Sequence, residues 1–292
     1  MRYVSRGLAA FMIALMAALS ALAEPPTPSP QAYRDGLHWL PDLPYGDHPR
    51  QRMDIYLPSV TQGAPVIAMV HGGAWRFGDK RHRAVVKHKL AHWSSKGFIF
   101  ASINYRLLPD ADPGVQRDDI ARALAHLQTT VGQLGGDAER LILIGHSAGG
   151  HLAALLAARP DIAYAAGATP WRATIVLDSA AVDLETLMGA PHAKLYDAAF
   201  GDEPKHWQRL SPLRQLQPNA SDFLLICSQR RDNACPAAQR FATAAEAAGS
   251  HAEVSPQPYT HTGINARLGQ ANDYTSAVDA FIQRQLSGSD KR

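Results

Sequence analysis

A serine set between small residues is the first candidate for chemistry. The stretch LIGHSAGG holds Gly145, His146, Ser147, Ala148 and Gly149 in a G-x-S-x-G pattern. A hydroxyl becomes a useful nucleophile when a tight strand-to-helix turn holds it out of the backbone beside a base, and small flanking residues allow that turn. Serine and glycine are common, so the five residues alone would mean little. Here an apolar run, Arg140 to Gly145, precedes them, and an Ala/Leu-rich helical stretch, Ala148 to Arg159, follows. That context points to nucleophilic attack on a carbonyl.

Such an attack needs hydrogen-bond donors for the oxyanion that develops. The stretch VHGGAW, Val70 to Trp75, ends an apolar run with paired glycines. The N–H groups of Gly72 and Gly73, together with that of Ala148, are the expected oxyanion donors. His71 precedes the serine in the chain and is expected to fix this loop by hydrogen bonds.

The elements that must position these groups alternate between short β-branched runs and helical periods. Strands are expected at Met53 to Pro58 (antiparallel), Pro65 to Val70, Phe98 to Asn104, Arg140 to Gly145, Ala173 to Asp178, Phe223 to Ser228 and Ala252 to Gln257. Helices are expected near Arg81 to Ser95, Val115 to Leu127, Ala148 to Arg159, Ala237 to Ala248 and Ala271 to Leu286. Strands separated by helices imply right-handed crossovers and a mostly parallel sheet covered on both faces. Sites in such sheets lie at the carboxyl ends of the strands.

The chain as a whole is an ordinary globular one, with 292 residues, 46% hydrophobic and 19% charged. Its start reads differently. Residues 1–23 have Arg2 and Arg6, an apolar run from Leu8 to Leu22, and small residues at Ala21 and Ala23. This is the pattern of a cleavable secretory signal, so the mature protein is expected to begin at Glu24 and to be exported, periplasmic or secreted. The apolar run falls short of a spanning helix, and no stable membrane anchor is expected after cleavage. Pro25 to Pro30 reads as an extended lead-in, and residues 24–292 as one domain. Losing two arginines takes the net charge from +3 to +1, which implies no nucleic-acid partner. The densest basic run, Asp79 to Trp93, reads as a helix with Val85, Val86, Leu90 and Trp93 inward and Arg81, Arg83, Lys87 and Lys89 in water. His88 and His92 lie one turn apart there without a carboxylate or cysteine in the run to complete a metal site. Two cysteines, Cys227 and Cys235, are open to two readings, paired or separate thiols.

With these motifs in hand, the chain resembles the α/β-hydrolase serine esterases and lipases with an HGG oxyanion motif, both the hormone-sensitive-lipase-like and the kynurenine-formamidase-like carboxylesterases. The residues that carry the resemblance are HGGAWRFGDK, INYRL, GHSAGGHLAALLA and HTGINARLG, spread over nearly all the mature chain. It implies the α/β-hydrolase fold and serine chemistry on a small-molecule ester, without a cofactor. Two departures stand out: HGGA replaces HGGG, and the loop CSQRRDNACP replaces a more apolar, glycine-rich one.

In this fold the catalytic residues run Ser, Asp or Glu, then His along the chain. Of the two late histidines, His251 precedes the strand at Ala252 and lies at its wrong end, while His261 follows it on the serine's side. His261 is the expected base. The same test rejects Asp222 and leaves Asp178 and Asp232. The resemblance favours Asp232, because the family normally presents its acid after the penultimate strand; Asp178 then remains a loop-orienting residue or an alternative acid. Beyond Asp178 an insertion at about residues 181–213 is expected to form a small cap. Leu187, Met188, Leu195, Tyr196, Phe200 and Trp207 are candidates to line a pocket under it, with Trp75, Met188 and Tyr196 nearest the chemistry. The expected function is hydrolysis of small to medium carboxylic esters through an acyl-enzyme on Ser147. An arylformamidase or amidase on the same residues is the alternative, and a noncatalytic binding module on the same fold is the reading from another class. Oligomeric state is not legible in the sequence.

Overall fold

Four strands buried along their whole length set the frame of the molecule. The computed structural model describes residues 29–218 and 220–288, so the expected signal at residues 1–23 lies outside the described residues. The strands are β1 (Gln31–Ala32), β2 (His38–Pro44), β3 (Arg52–Leu57), β4 (Val66–Val70), β5 (Ile99–Ile103), β6 (Leu141–His146), β7 (Ala173–Leu177), β8 (Asp222–Ser228) and β9 (Ala252–Gln257). They form one sheet in the order β1-β2-β3-β5-β4-β6-β7-β8-β9. Neighbours from β5 through β9 are parallel, and β1, β2 and β3 join antiparallel at one edge.

The continuous apolar runs are explained by cover on both faces. Along β4, Val66, Ala68 and Val70 enter one core while Ile67 and Met69 enter the other. The period of two that moves side chains to alternate faces therefore carries no polar position. The connecting helices are α1 (Arg83–Ser94), α2 (Pro113–Gln133), α3 (Ala148–Ala158), α4 (Pro160–Ala165), α5 (Leu184–Met188), α6 (Lys194–Phe200), α7 (Pro204–Leu210), α8 (Pro212–Gln215), α9 (Ala234–Ala247), α10 (His261–Arg267) and α11 (Asp273–Ser287). Helices α2, α3 and α9 fill one face with Leu124, Leu152 and Phe241; α1 and α11 fill the other with Trp93 and Phe281.

Several expectations shift. The α2 helix starts earlier and ends later than its apolar period suggests, because Pro113 occupies its first turn and the Asp112 carboxylate accepts from the Val115 N–H. The β2 strand was not expected. Its sequence HWLPDLP carries two prolines, which an edge-side strand tolerates where a bulge breaks the register between Leu40 and Leu43. Lys89, expected in water, is only 1% exposed. Its ammonium donates to the backbone oxygens of Ala84 and Asn265 at 2.8 and 2.5 Å and to Asn265 Oδ1 at 2.8 Å. Burial pushes its pKa down to about 7. Among the described residues, no helix is long and apolar enough to cross a membrane.

Candidate active site

The carboxyl ends of β4, β6, β7, β8 and β9 open into one cleft of about 1090 Å³. Ser147 stands at the end of β6 with φ 56° and ψ −120°, a conformation that costs a non-glycine residue of the order of 1–3 kcal/mol. Two features hold it there. The Ser147 N–H donates to the Leu177 carbonyl at 2.9 Å. Gly149 lets the first turn of α3 press on the end of β4, since a Cβ there would sit 2.4 Å from the His71 oxygen and 2.5 Å from that of Val70. The hydroxyl that results is turned toward the cleft beside His261.

His261 follows β9 and opens α10. Its Nε2 accepts from Ser147 Oγ at 2.9 Å, and its Nδ1–H donates to Asp178 Oδ2 at 2.6 Å. The carboxylate brought to the base is therefore Asp178, and the expectation of Asp232 is corrected. Asp178 follows β7 directly, adopts φ 52°, and donates its own N–H to the Ile226 carbonyl at 2.7 Å. Its other oxygen, Oδ1, accepts from the Ser228 N–H at 2.8 Å. Burial alone would raise this carboxyl, but the hydrogen bond from His261 and the charge and hydrogen bond of Arg231 bring it down to about 2.

The reason Asp232 fails lies in the turn after β8. Between Ser228 and Ala234 the side chains of Gln229, Arg230, Asp232 and Asn233 are exposed, and Arg231 takes the inward place. Its Nη1 donates to Asp178 Oδ2 at 2.8 Å and to the Asp178 carbonyl at 3.1 Å. Asp232, the next residue, is exposed on the cleft wall. A disulfide between Cys227 and Cys235, eight positions apart, closes this turn and settles the two readings left open for the cysteines.

Three histidines support the site without touching the serine hydroxyl. His146 donates from Nε2 to the His261 carbonyl at 3.1 Å, with ring centroids 4.6 Å apart. Burial, with the nearby His261, pushes its pKa down to about 3, so it remains a neutral spacer. His151 on α3 accepts from Trp75 Nε1 at 3.2 Å and donates to the Leu210 carbonyl at 2.8 Å. One neutral ring thus ties the glycine loop to the insertion. His71 donates from Nδ1 to the Gly72 carbonyl at 2.8 Å and stacks on Tyr105, so it braces the loop as expected. Neither His146 nor His151 was singled out from sequence; the stretch HSAGGH, with a histidine at each end, carried the signal.

Gly73 and Ala148 line the cleft beside Ser147. Gly72 lies behind them, where a Cβ would come within 2.9 Å of Ser147 Cβ. Where HGGA departs from HGGG, Ala74 itself takes φ 52° and Trp75 φ 58°. This local strain is held by the buried indole, and by the Trp75 carbonyl, which accepts from Gln116 Nε2 and the Leu108 N–H at 2.8 and 2.9 Å. The INYRL motif braces the loop from behind. Asn104 accepts from the Lys80 N–H at 2.6 Å, Tyr105 donates to the His71 carbonyl at 3.0 Å, and Arg106 pairs with Asp119 at 2.7 Å.

Of the expected pocket residues, Trp75 and Tyr196 line the cleft, and Leu195 reaches its rim 42% exposed. Met188 does not: it is 5% exposed and packed in the core with Leu187 and Phe200, where α5 and the buried end of α6 seat the insertion on the sheet. Phe77, 66% exposed, lines the opposite side and was missed because it lies past the glycines in a turn with no periodicity.

Residues 53–245 match the family model described as BD-FAE. The chain belongs to the BD-FAE family. A probable isoprenylcysteine alpha-carbonyl methylesterase of Oryza sativa subsp. japonica is 40% identical over 111 residues, 38% of this chain and 25% of that protein. Esterase LipQ of Mycobacterium tuberculosis is 30% identical over 263 residues, 82% of this chain and 61% of that one. The chain thus aligns with a quarter of the plant relative and about three fifths of the mycobacterial one. Esterase B from Lactobacillus rhamnosis superposes with a TM-score of 0.71 at 20% identity, over 97% of this chain and 94% of that structure. This BD-FAE protein has the α/β-hydrolase fold.

Proposed function

We propose that the chain is an exported serine hydrolase that cleaves carboxylic esters of small to medium size through an acyl-enzyme on Ser147. The observation that carries this reading is the continuous relay from Ser147 Oγ to His261 Nε2 at 2.9 Å and from His261 Nδ1 to Asp178 Oδ2 at 2.6 Å. His261 takes the Ser147 proton as the oxygen attacks the ester carbonyl, while ionised Asp178 holds the reactive tautomer and stabilises the imidazolium. The oxyanion receives the N–H groups of Gly72, Gly73 and Ala148; one such donor is worth about 10²–10³ in turnover. Ala148 opens α3, so its N–H is one of those a helix leaves unpaired. His261 then passes the proton to the departing alkoxide. The same base activates water, which releases the acid and restores the serine. The insertion after Asp178 acts as the cap of this site, and the composition of residues 1–23 supports export.

The test is turnover of p-nitrophenyl esters of increasing acyl length beside N-formylkynurenine, with Ser147→Ala as control. Ester turnover that falls by roughly 10⁶ in the variant is expected. Activity confined to the formamide would assign the relay to amide chemistry instead, and inactivity on both would overturn the reading.

A further inference from the structure

The three-residue relay carries a fourth group, a cation, that its chemistry does not require. Arg231 Nη1 shares Asp178 Oδ2 with the imidazole and lies 3.1 Å from His261 Nδ1. Both nitrogens carry protons, so this is a contact between donors, and it becomes a contact between cations whenever His261 is protonated. We infer that Arg231 is a positioning residue that fixes the Asp178 carboxylate and, by standing against the imidazole, lowers the pH at which His261 becomes available as a base. The inference rests on the serine-hydrolase reading above.

Two observations support it. The first is how firmly the guanidinium is placed. The same Nη1 holds both the carboxylate and the carbonyl of Asp178. Its loop is closed by Cys227 and Cys235, the Arg231 N–H donates to the Ser228 carbonyl at 3.3 Å, and Ser228 Oγ donates to the Tyr259 carbonyl at 2.6 Å, two residues before His261. The second is the balance of charge around the base. Asp178 favours the imidazolium. His146 faces the ring but stays neutral, as burial holds it near 3. Tyr196 from α6 touches Arg231, and its phenol is pushed up by burial. Tyr274 from α11 is buried near Asp178 and pushed well up by burial, so it too is neutral. Lys89 acts from the far side, through Asn265 on the base's own helix. Asp232 is exposed on the cleft wall. Arg231 is therefore the cation in contact with the base, opposing on the imidazole the charge it stabilises on the carboxylate. A like charge this close disfavours the protonated ring.

The experiment compares the pH dependence of kcat/KM on a short p-nitrophenyl ester for the wild type, Arg231→Met, Arg231→Gln and Arg231→Lys. Competent sites are counted in each by stoichiometric phosphonate labelling of Ser147. Removing the charge is expected to move the acid limb up by about one pH unit in the Met and Gln variants, while the Lys variant keeps it near the wild-type position. A purely structural role would lower the plateau and leave the limb in place, and that result overturns the inference. A Lys variant shifted as far as the neutral ones overturns it as well. Failure of the wild type to take the label or turn over ester would instead sink the serine-hydrolase reading, so the two failures are separable.

Discussion

The imidazole of His261 has one Nδ1 proton to give, and Asp178 receives it at 2.6 Å. An asparagine at position 178 would offer an amide in place of a second acceptor oxygen and lose the charge that steadies the imidazolium, so Asp178→Asn is expected to lower kcat by about 10⁴. Asp232→Asn changes an exposed side chain with no part in the relay and should cost less than about tenfold. Turnover of both variants on one short ester decides the assignment; a larger loss at Asp232 would return the acid to the turn after β8. The serine and histidine were legible in the sequence because chain order and strand ends leave few choices. The acid was not, since Asp178 and Asp232 both follow strands and only the direction of each side chain separates them. The arginine pair before Asp232 was the overlooked signal: an inward Arg231 needs a buried anion, and Asp178 is the one it meets.

At the scale of elements, the site depends on turns more than on the strands that deliver them. Apolar runs such as VIAMV and LILIG announced buried strands directly, and helices with a strong apolar period were found within a few residues of their ends. The β2 strand escaped because its prolines and bulge imitate a loop, and the short helices between β7 and β8 because runs of four to seven residues hold barely one or two helical periods. The turn after β8 shows how covalent closure substitutes for regular structure. With Cys227 and Cys235 eight positions apart, chain entropy assigns this link roughly 2–3 kcal/mol. Replacing both cysteines by serine should lower the urea unfolding free energy by that amount. Unchanged unfolding would mean that Arg231 and Ser228 hold the turn without the sulfur bridge.

Across the whole molecule, the antiparallel edge of the sheet supports chemistry performed near its centre. Asp54 on β3 is completely buried and accepts from Lys80 Nζ at 2.5 Å, Arg81 Nε at 2.7 Å and the Asp42 N–H at 2.8 Å. Lys80 is 2% exposed, and it terminates the same loop that begins with His71 and the oxyanion glycines. Asp42, at 2.7 Å and half open to water, is the second carboxylate paired with this ammonium. Neutralising Asp54 while keeping Lys80 leaves this buried ammonium with the half-exposed Asp42 carboxylate as its ion-pair partner, so the cost approaches but does not exceed the about 3–5 kcal/mol of a fully unpaired buried charge. Asp54→Asn is therefore expected to lose stability of that order in urea titrations, and to lose ester turnover per folded molecule as the glycine loop loosens. Replacing both buried partners, Asp54→Leu with Lys80→Met, removes the under-neutralised ammonium while the half-exposed Arg81 keeps Asp42, and should recover part of the stability. If the double variant is no more stable than the single one, the cluster acts through shape and not through charge, and the sheet edge transmits packing alone to the oxyanion loop.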